Sequence, residues 1–171
     1  SPKASRFTTN RKVLADGGES VEKFLTQGLT ELGEHLGPIL WQFMPTKKFD
    51  PVDFGAFLAL LPASRDGLRL RHAVEVRHPS FMVPEFAALA RKHNVAIVYA
   101  EHAEYPEIAD VTADFVYARL QKGSDEVPTC YDEAALDLWA ERLKRWSVGE
   151  QPGDLPLIDP DFTPPLAPRD V

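Results

Sequence analysis

The stretch His72-Ala73-Val74-Glu75-Val76-Arg77-His78-Pro79-Ser80 decides how this chain is read. It is a short apolar strand that ends in charge. Strand side chains alternate between faces, so Ala73, Glu75 and Arg77 share one face, and Val74 and Val76 share the other. A surface strand would carry polar residues along its whole length. Here carboxylate, guanidinium, imidazole and hydroxyl gather at the C-terminal end, where α/β folds place their chemistry. The stretch locates a site and leaves its reaction open.

Outward from this strand, helical and strand patterns alternate. Upstream, Val21, Phe24, Leu25, Leu29, Leu32 and Leu36 recur at helical spacing, which predicts a helix over Ser20 to Leu36 stopped by Gly37-Pro38. Pro38 to Phe43 is nearly all apolar, the mark of a strand buried on both faces. Asp50-Pro51 reads as an N-cap followed by proline at the first helical position, ahead of Phe54, Phe57 and Leu58. Downstream, Pro84 opens a helix that closes near Asn94, and Val95 to Ala100 is an apolar strand. A connection through Ile108 and Val111, with room for a short helix, leads to the strand Phe115 to Leu120. Asp132 caps a last helix carrying Trp139 and Trp146, with Gly149 at its end.

Strands separated by helices imply crossovers and a parallel sheet. Four full strands and a partial one near Lys3 are too few to close an eight-stranded barrel, which takes about 250 residues. Either the sheet is open or the sequence is part of a larger barrel. The second is the expectation: an α/β fold with a single domain over residues 1–171, built as a partial parallel (β/α) barrel lacking N-terminal strands and the last strand. Residues 150–171 hold six of the fifteen prolines and no helical period, and read as an irregular segment.

Composition bounds the function. Hydrophobic residues make up 44% of the 171 and charged residues 26%, as in ordinary globular domains. A net charge of −7 argues against a surface that attracts nucleic acid or anionic membrane as a whole, although an acidic protein can carry a small basic patch. Cys130 is the only cysteine, so no internal disulfide or cysteine metal knuckle is available. No run approaches the roughly 20 apolar residues of a membrane span and no signal-peptide pattern appears, so the expected location is cytoplasmic.

Four blocks, Lys3-Ala-Ser-Arg-Phe7, Leu40-Trp-Gln-Phe43 followed by Pro45, His72 to Ser80, and Ala113-Asp-Phe-Val-Tyr-Ala-Arg-Leu120, resemble in order and spacing the YecE-like family, domain of unknown function 72. The resemblance covers nearly the whole chain and implies a TIM-barrel-like fold with its site at the strand ends. It implies no reaction. Asn10 and Gln121 stand where histidine is common in that family.

The candidate site follows from the strand ends. Glu75, Arg77 and His78 are the candidates for chemistry; Lys3, Ser5, Arg6, Gln42, Glu101 and Arg119 are the candidates for binding. Such a ring is costly to bury unless its members pair or meet a ligand. Lys3, Arg77 and Arg119 near one cavity suit a phosphate or carboxylate, because arginine grips both with two hydrogen bonds. Glu75 beside an arginine stays ionised, as a base or an orienting carboxylate. Glu75, His78, Glu101 and His102 have metal-ligand chemistry, but no HExxH or paired-cysteine signature accompanies them, and no metal is assigned. No Gly-rich nucleotide loop or Gly-x-Ser-x-Gly elbow appears, and no cofactor is assigned. Two readings stand: an enzyme acting on a small anionic or phosphorylated metabolite, or a non-catalytic ligand-binding or nucleic-acid-associated module using the same pocket.

Overall fold

A computed structural model describes residues 1–171. Local sequence signals start most of the elements. The Ser5 hydroxyl accepts from the Phe7 amide at 3.3 Å and caps α1 (Arg6–Thr9). The helix expected over Ser20 to Leu36 is shorter. Its regular part is α2 (Gly18–Leu25), after which Gly28 turns left-handed at φ 82° and a 3₁₀ segment follows over Leu29–His35. The apolar spacing continues across this break, but glycine adopts positive φ without the steric cost other residues meet.

The next elements follow the sequence closely. β1 (Ile39–Gln42) leads to α3 (Pro51–Ala59), whose cap Asp50 accepts from the Val52 and Asp53 amides, both at 3.0 Å. A hairpin of β2 (Ser64–Arg65) and β3 (Leu68–Arg69) comes next, turned by Asp66 and Gly67 at φ 50° and 78°. Asp-Gly with two positive φ values is a favoured two-residue hairpin turn. Then come β4 (His72–Glu75), α4 (Pro84–Lys92), β5 (Ala96–Ile97), β6 (Tyr99–Glu101), β7 (Ala118–Leu120) and α5 (Glu133–Ser147). Asp132 caps α5 by accepting from the Ala135 amide, and Gly149 follows it at φ 95°.

The architecture is mixed α/β. β1, β4 and β5 form a parallel sheet in that order, with Gln42 level with Glu75 and Ala73 level with Ala96. β6 and β7 form a second parallel pair, with Ala100 level with Arg119. β5 and β6 are separated only by Val98, whose amide still donates to the Val74 carbonyl at 2.9 Å. Parallel bridges extend the edges, Lys3 to Leu40 and Phe115 to Asp170. The ladders do not close into a barrel.

The connection through Ile108 and Val111 contains no helix. It runs beside β5, where the Thr112 hydroxyl accepts from the Ile97 amide at 2.9 Å and donates to the Val95 carbonyl at 2.8 Å. A side chain thus completes the ladder where no strand lies alongside. The proline-rich segment has no helix or named strand, and Asp110 anchors it by accepting from the Ile158 and Asp159 amides.

The two faces of the strands pack differently. Ile39, Trp41, Phe43, Val74 and Ile97 meet α2, α3 and α4 in the larger core. Trp41 lies edge-on between Phe24 and Phe57, so it is a packing residue. Its Nε1 donates to Nδ1 of buried His72 at 3.1 Å, which leaves the His72 proton on Nε2, 2.8 Å from the Pro62 carbonyl. The opposite face is lined by smaller side chains, Leu40, Ala73, Ala96, Val98 and Ala100, with Phe115. Gln42, Glu75 and Arg119 continue this second face at the strand ends. No helix is long and apolar enough to cross a membrane.

Candidate functional site

Glu75 is the centre of the strand-end cluster and is 2% exposed. Gln42, level with it on β1, donates from Nε2 to Glu75 Oε1 at 2.6 Å. Arg77 donates to the same oxygen from Nε at 3.0 Å and lies 2.9 Å away through Nη2. Arg119, reaching across from β7, donates to Oε2. Lys3 donates to Gln42 Oε1, so the amide relays one further cation into the cluster. Burial disfavours the Glu75 carboxylate, but the hydrogen bonds from Arg119 and Gln42 and the arginine charge outweigh it, and the pKa falls below the ordinary 4.5. Glu75 is ionised and both its oxygens are taken.

Three cations, Lys3, Arg77 and Arg119, surround that single carboxylate. Beside them lies a cavity of about 160 Å³ whose lining includes Lys3, Arg6, Asn10, Gln42, Met44 and Arg77. Its volume suits one small anion with a few waters. Arg119 and Glu75 stand behind this lining rather than in it.

A family model described as protein of unknown function DUF72 matches residues 1–156. The chain belongs to the DUF72 family. A crystal structure of a DUF72 family protein from Thermotoga maritima, TM1631, superposes with a TM-score of 0.64 at 23% identity, over 85% of this chain and 60% of that one. This likeness concerns the fold, and the chain spans about 60% of the length of that relative. No curated protein matches the chain.

Within the DUF72 chain, the remaining sequence candidates divide. Arg6 lines the mouth cavity and makes no ion pair. Ser5 is engaged in capping α1. His78 caps the turn Pro79–Phe81: its Nδ1 accepts from the Ser80 amide at 3.1 Å and lies 2.8 Å from the Ser80 hydroxyl. Glu101 stays outside the cluster. It is level with Leu120, on the face that packs against α5, and accepts from the Tyr131 hydroxyl. His102 stacks on Tyr105 with ring centroids 4.3 Å apart, so Glu75, His78, Glu101 and His102 do not converge on one point.

Tyr105 is the residue that strand logic missed. Its ring lies 4.7 Å from the Arg77 guanidinium carbon, a cation–π contact that adds to the bonds Arg77 makes to Glu75. Its signal was present as an aromatic in the loop directly after β6, where function collects on loops set by a rigid scaffold.

Proposed function

We propose that this chain is one domain, an arc of a TIM-barrel-like (β/α) fold, that binds a small anionic ligand, a phosphate or carboxylate, at the C-terminal ends of its strands. The observation that carries the reading is the imbalance of charge: one buried carboxylate pairs with Arg77 and Arg119, and Lys3 and Arg6, which pair with no carboxylate, line an open cavity beside Arg77. Cations in excess of the carboxylates that pair them favour a further anion. Glu75 serves as the orienting carboxylate. With two arginines and an amide on its oxygens, it holds the arginine forks in place. The chemical candidates are then Arg77, as an electrophilic clamp, and the Nε2 nitrogen of His78, which its capping role leaves open.

Calorimetric titration with inorganic phosphate tests this. Arg77→Ala should weaken binding roughly tenfold or more, the scale of a charged hydrogen bond. Arg119→Ala, at a residue behind the lining, should weaken it by less. Glu75→Gln should cost less affinity than Arg77→Ala, because the loss of a competing negative charge offsets the loosened arginine forks. Absence of binding by the wild-type chain, or binding indifferent to both arginines, would sink the reading. If a turnover assay becomes available, Glu75→Gln losing turnover while keeping phosphate affinity would mark an enzyme.

A further inference from the structure

We propose that a basic groove leading away from the mouth binds a single-stranded oligonucleotide, whose terminal phosphate occupies the mouth cavity. This rests on the mouth taking an anion. A second cavity of about 830 Å³ contains Arg11, Lys12, Lys47 and Lys48, and shares Thr9, Asn10 and Met44 with the mouth cavity, so the two adjoin. Its acidic side chains are already engaged. Asp50 caps α3, and Asp53 accepts from the Leu14 and Ala15 amides at 2.7 and 2.9 Å and from Lys47 at 2.9 Å.

The cations are different. Lys3, Arg6, Arg11, Lys12 and Lys48 have no carboxylate within ion-pair distance, although the chain as a whole carries a charge of −7. Five unpaired cations spread along two adjoining cavities suit a chain of phosphates better than one point anion. Apolar surface accompanies them: Val52 is 82% and Met44 40% exposed in the groove itself, and Phe7, 85% exposed on α1, lines a third cavity that shares Arg11 with the groove. An exposed aromatic beside a cationic track is what an unpaired base stacks on, and a polyphosphate has no use for it.

Fluorescence anisotropy of a short labelled oligothymidylate, run beside inorganic phosphate and inorganic polyphosphate, tests the proposal. Each phosphate contact to a single strand adds about 0.7 to the slope of log affinity against log salt, so Lys12→Ala with Lys48→Ala should flatten that slope by about 1.4. Phe7→Ala should weaken oligonucleotide binding roughly tenfold and leave polyphosphate binding unchanged. All three side chains are exposed, so the variants fold. Phosphate bound at the arginines without oligonucleotide binding overturns this inference alone. Polyphosphate bound as tightly as oligonucleotide, or a salt slope unmoved by the lysine pair, overturns it too. A mouth that binds no phosphate removes its foundation along with the reading it rests on.

Discussion

Glu75 and Glu101 end neighbouring strands, yet they live in different chemistry. Glu75 shares its face with Ala73 and the small side chains of the mouth side, and its oxygens are taken by Arg77, Arg119 and Gln42. Glu101 shares its face with Tyr99, which packs on Trp139 and Trp146. There phenols donate, Tyr131 to Glu101 and Tyr99 to Glu107 at 2.8 Å, and Lys122 alone adds a cation, on Glu107. The difference is one of parity along a strand. A shift of one residue exchanges a cationic mouth for an aromatic helix layer.

The largest effect should come from removing the Glu75 charge. Glu75→Gln sets an amide N–H against arginine or glutamine N–H donors and leaves two guanidinium groups without their anion. Breaking a buried pair costs up to about 5 kcal/mol, and the partial exposure of Arg77 and Arg119 reduces this to about 2–3 kcal/mol. Glu101→Gln keeps an amide oxygen for Tyr131 and should cost under about 1 kcal/mol. Urea denaturation of both variants measures the gap, and equal losses would break the contrast.

Acid titration separates the layers again. The Glu75 pKa is lowered in the fold, so its contribution is complete above about pH 4.5 and is lost as pH falls through the folded value. His72 is also lowered, by burial against its hydrogen bond to Pro62. The unfolded imidazole then takes a proton first, and stability drops as pH falls below about 6.5 toward the folded value. His72→Gln should flatten the upper window and Glu75→Gln the lower one, read as unfolding free energy against pH.

Smaller losses belong to the phenol side. Burial and a neighbouring carboxylate raise both Tyr99 and Tyr131, the latter to about 12. Tyr99→Phe and Tyr131→Phe should each cost about 1 kcal/mol, the net worth of one hydrogen bond. Each should also remove one late-ionising phenol from an alkaline absorbance titration.

What could be read in the sequence was local. Asp50, Asp132, Pro84 and Gly149 announce helix ends through their own backbone chemistry, and His72 to Glu75 announces a strand that ends in charge. Period two, with the strand faces taken to point inward, grouped Lys3, Gln42, Glu75, Arg77 and Arg119 but also Glu101, which lies on the other face. The facing of Glu101 was not legible: Val95 to Ala100 is apolar on both sides, so no alternation marks which face meets the helices. The break at Gly28 was hidden because the apolar spacing continues through it. Asp66-Gly67 did carry a hairpin signal, but the flanking strands are two residues each and left no periodic pattern. The Thr112 plug depends on two segments 15 residues apart and has no local signature.

The smallest effect tests how far the mouth extends beyond its ion pairs. Tyr105→Leu removes the ring beside Arg77 but leaves the Arg77–Glu75 bonds intact. A cation–π contact at a partly exposed arginine is worth about 0.5–1 kcal/mol, so stability should fall by no more than that. Phosphate affinity is the sharper readout. If Tyr105 only covers the arginine, affinity should change less than twofold. A several-fold loss would mean that the ring holds the guanidinium at the angle an anion needs. The loop after β6 would then belong to the mouth even though the glutamate that ends β6 does not.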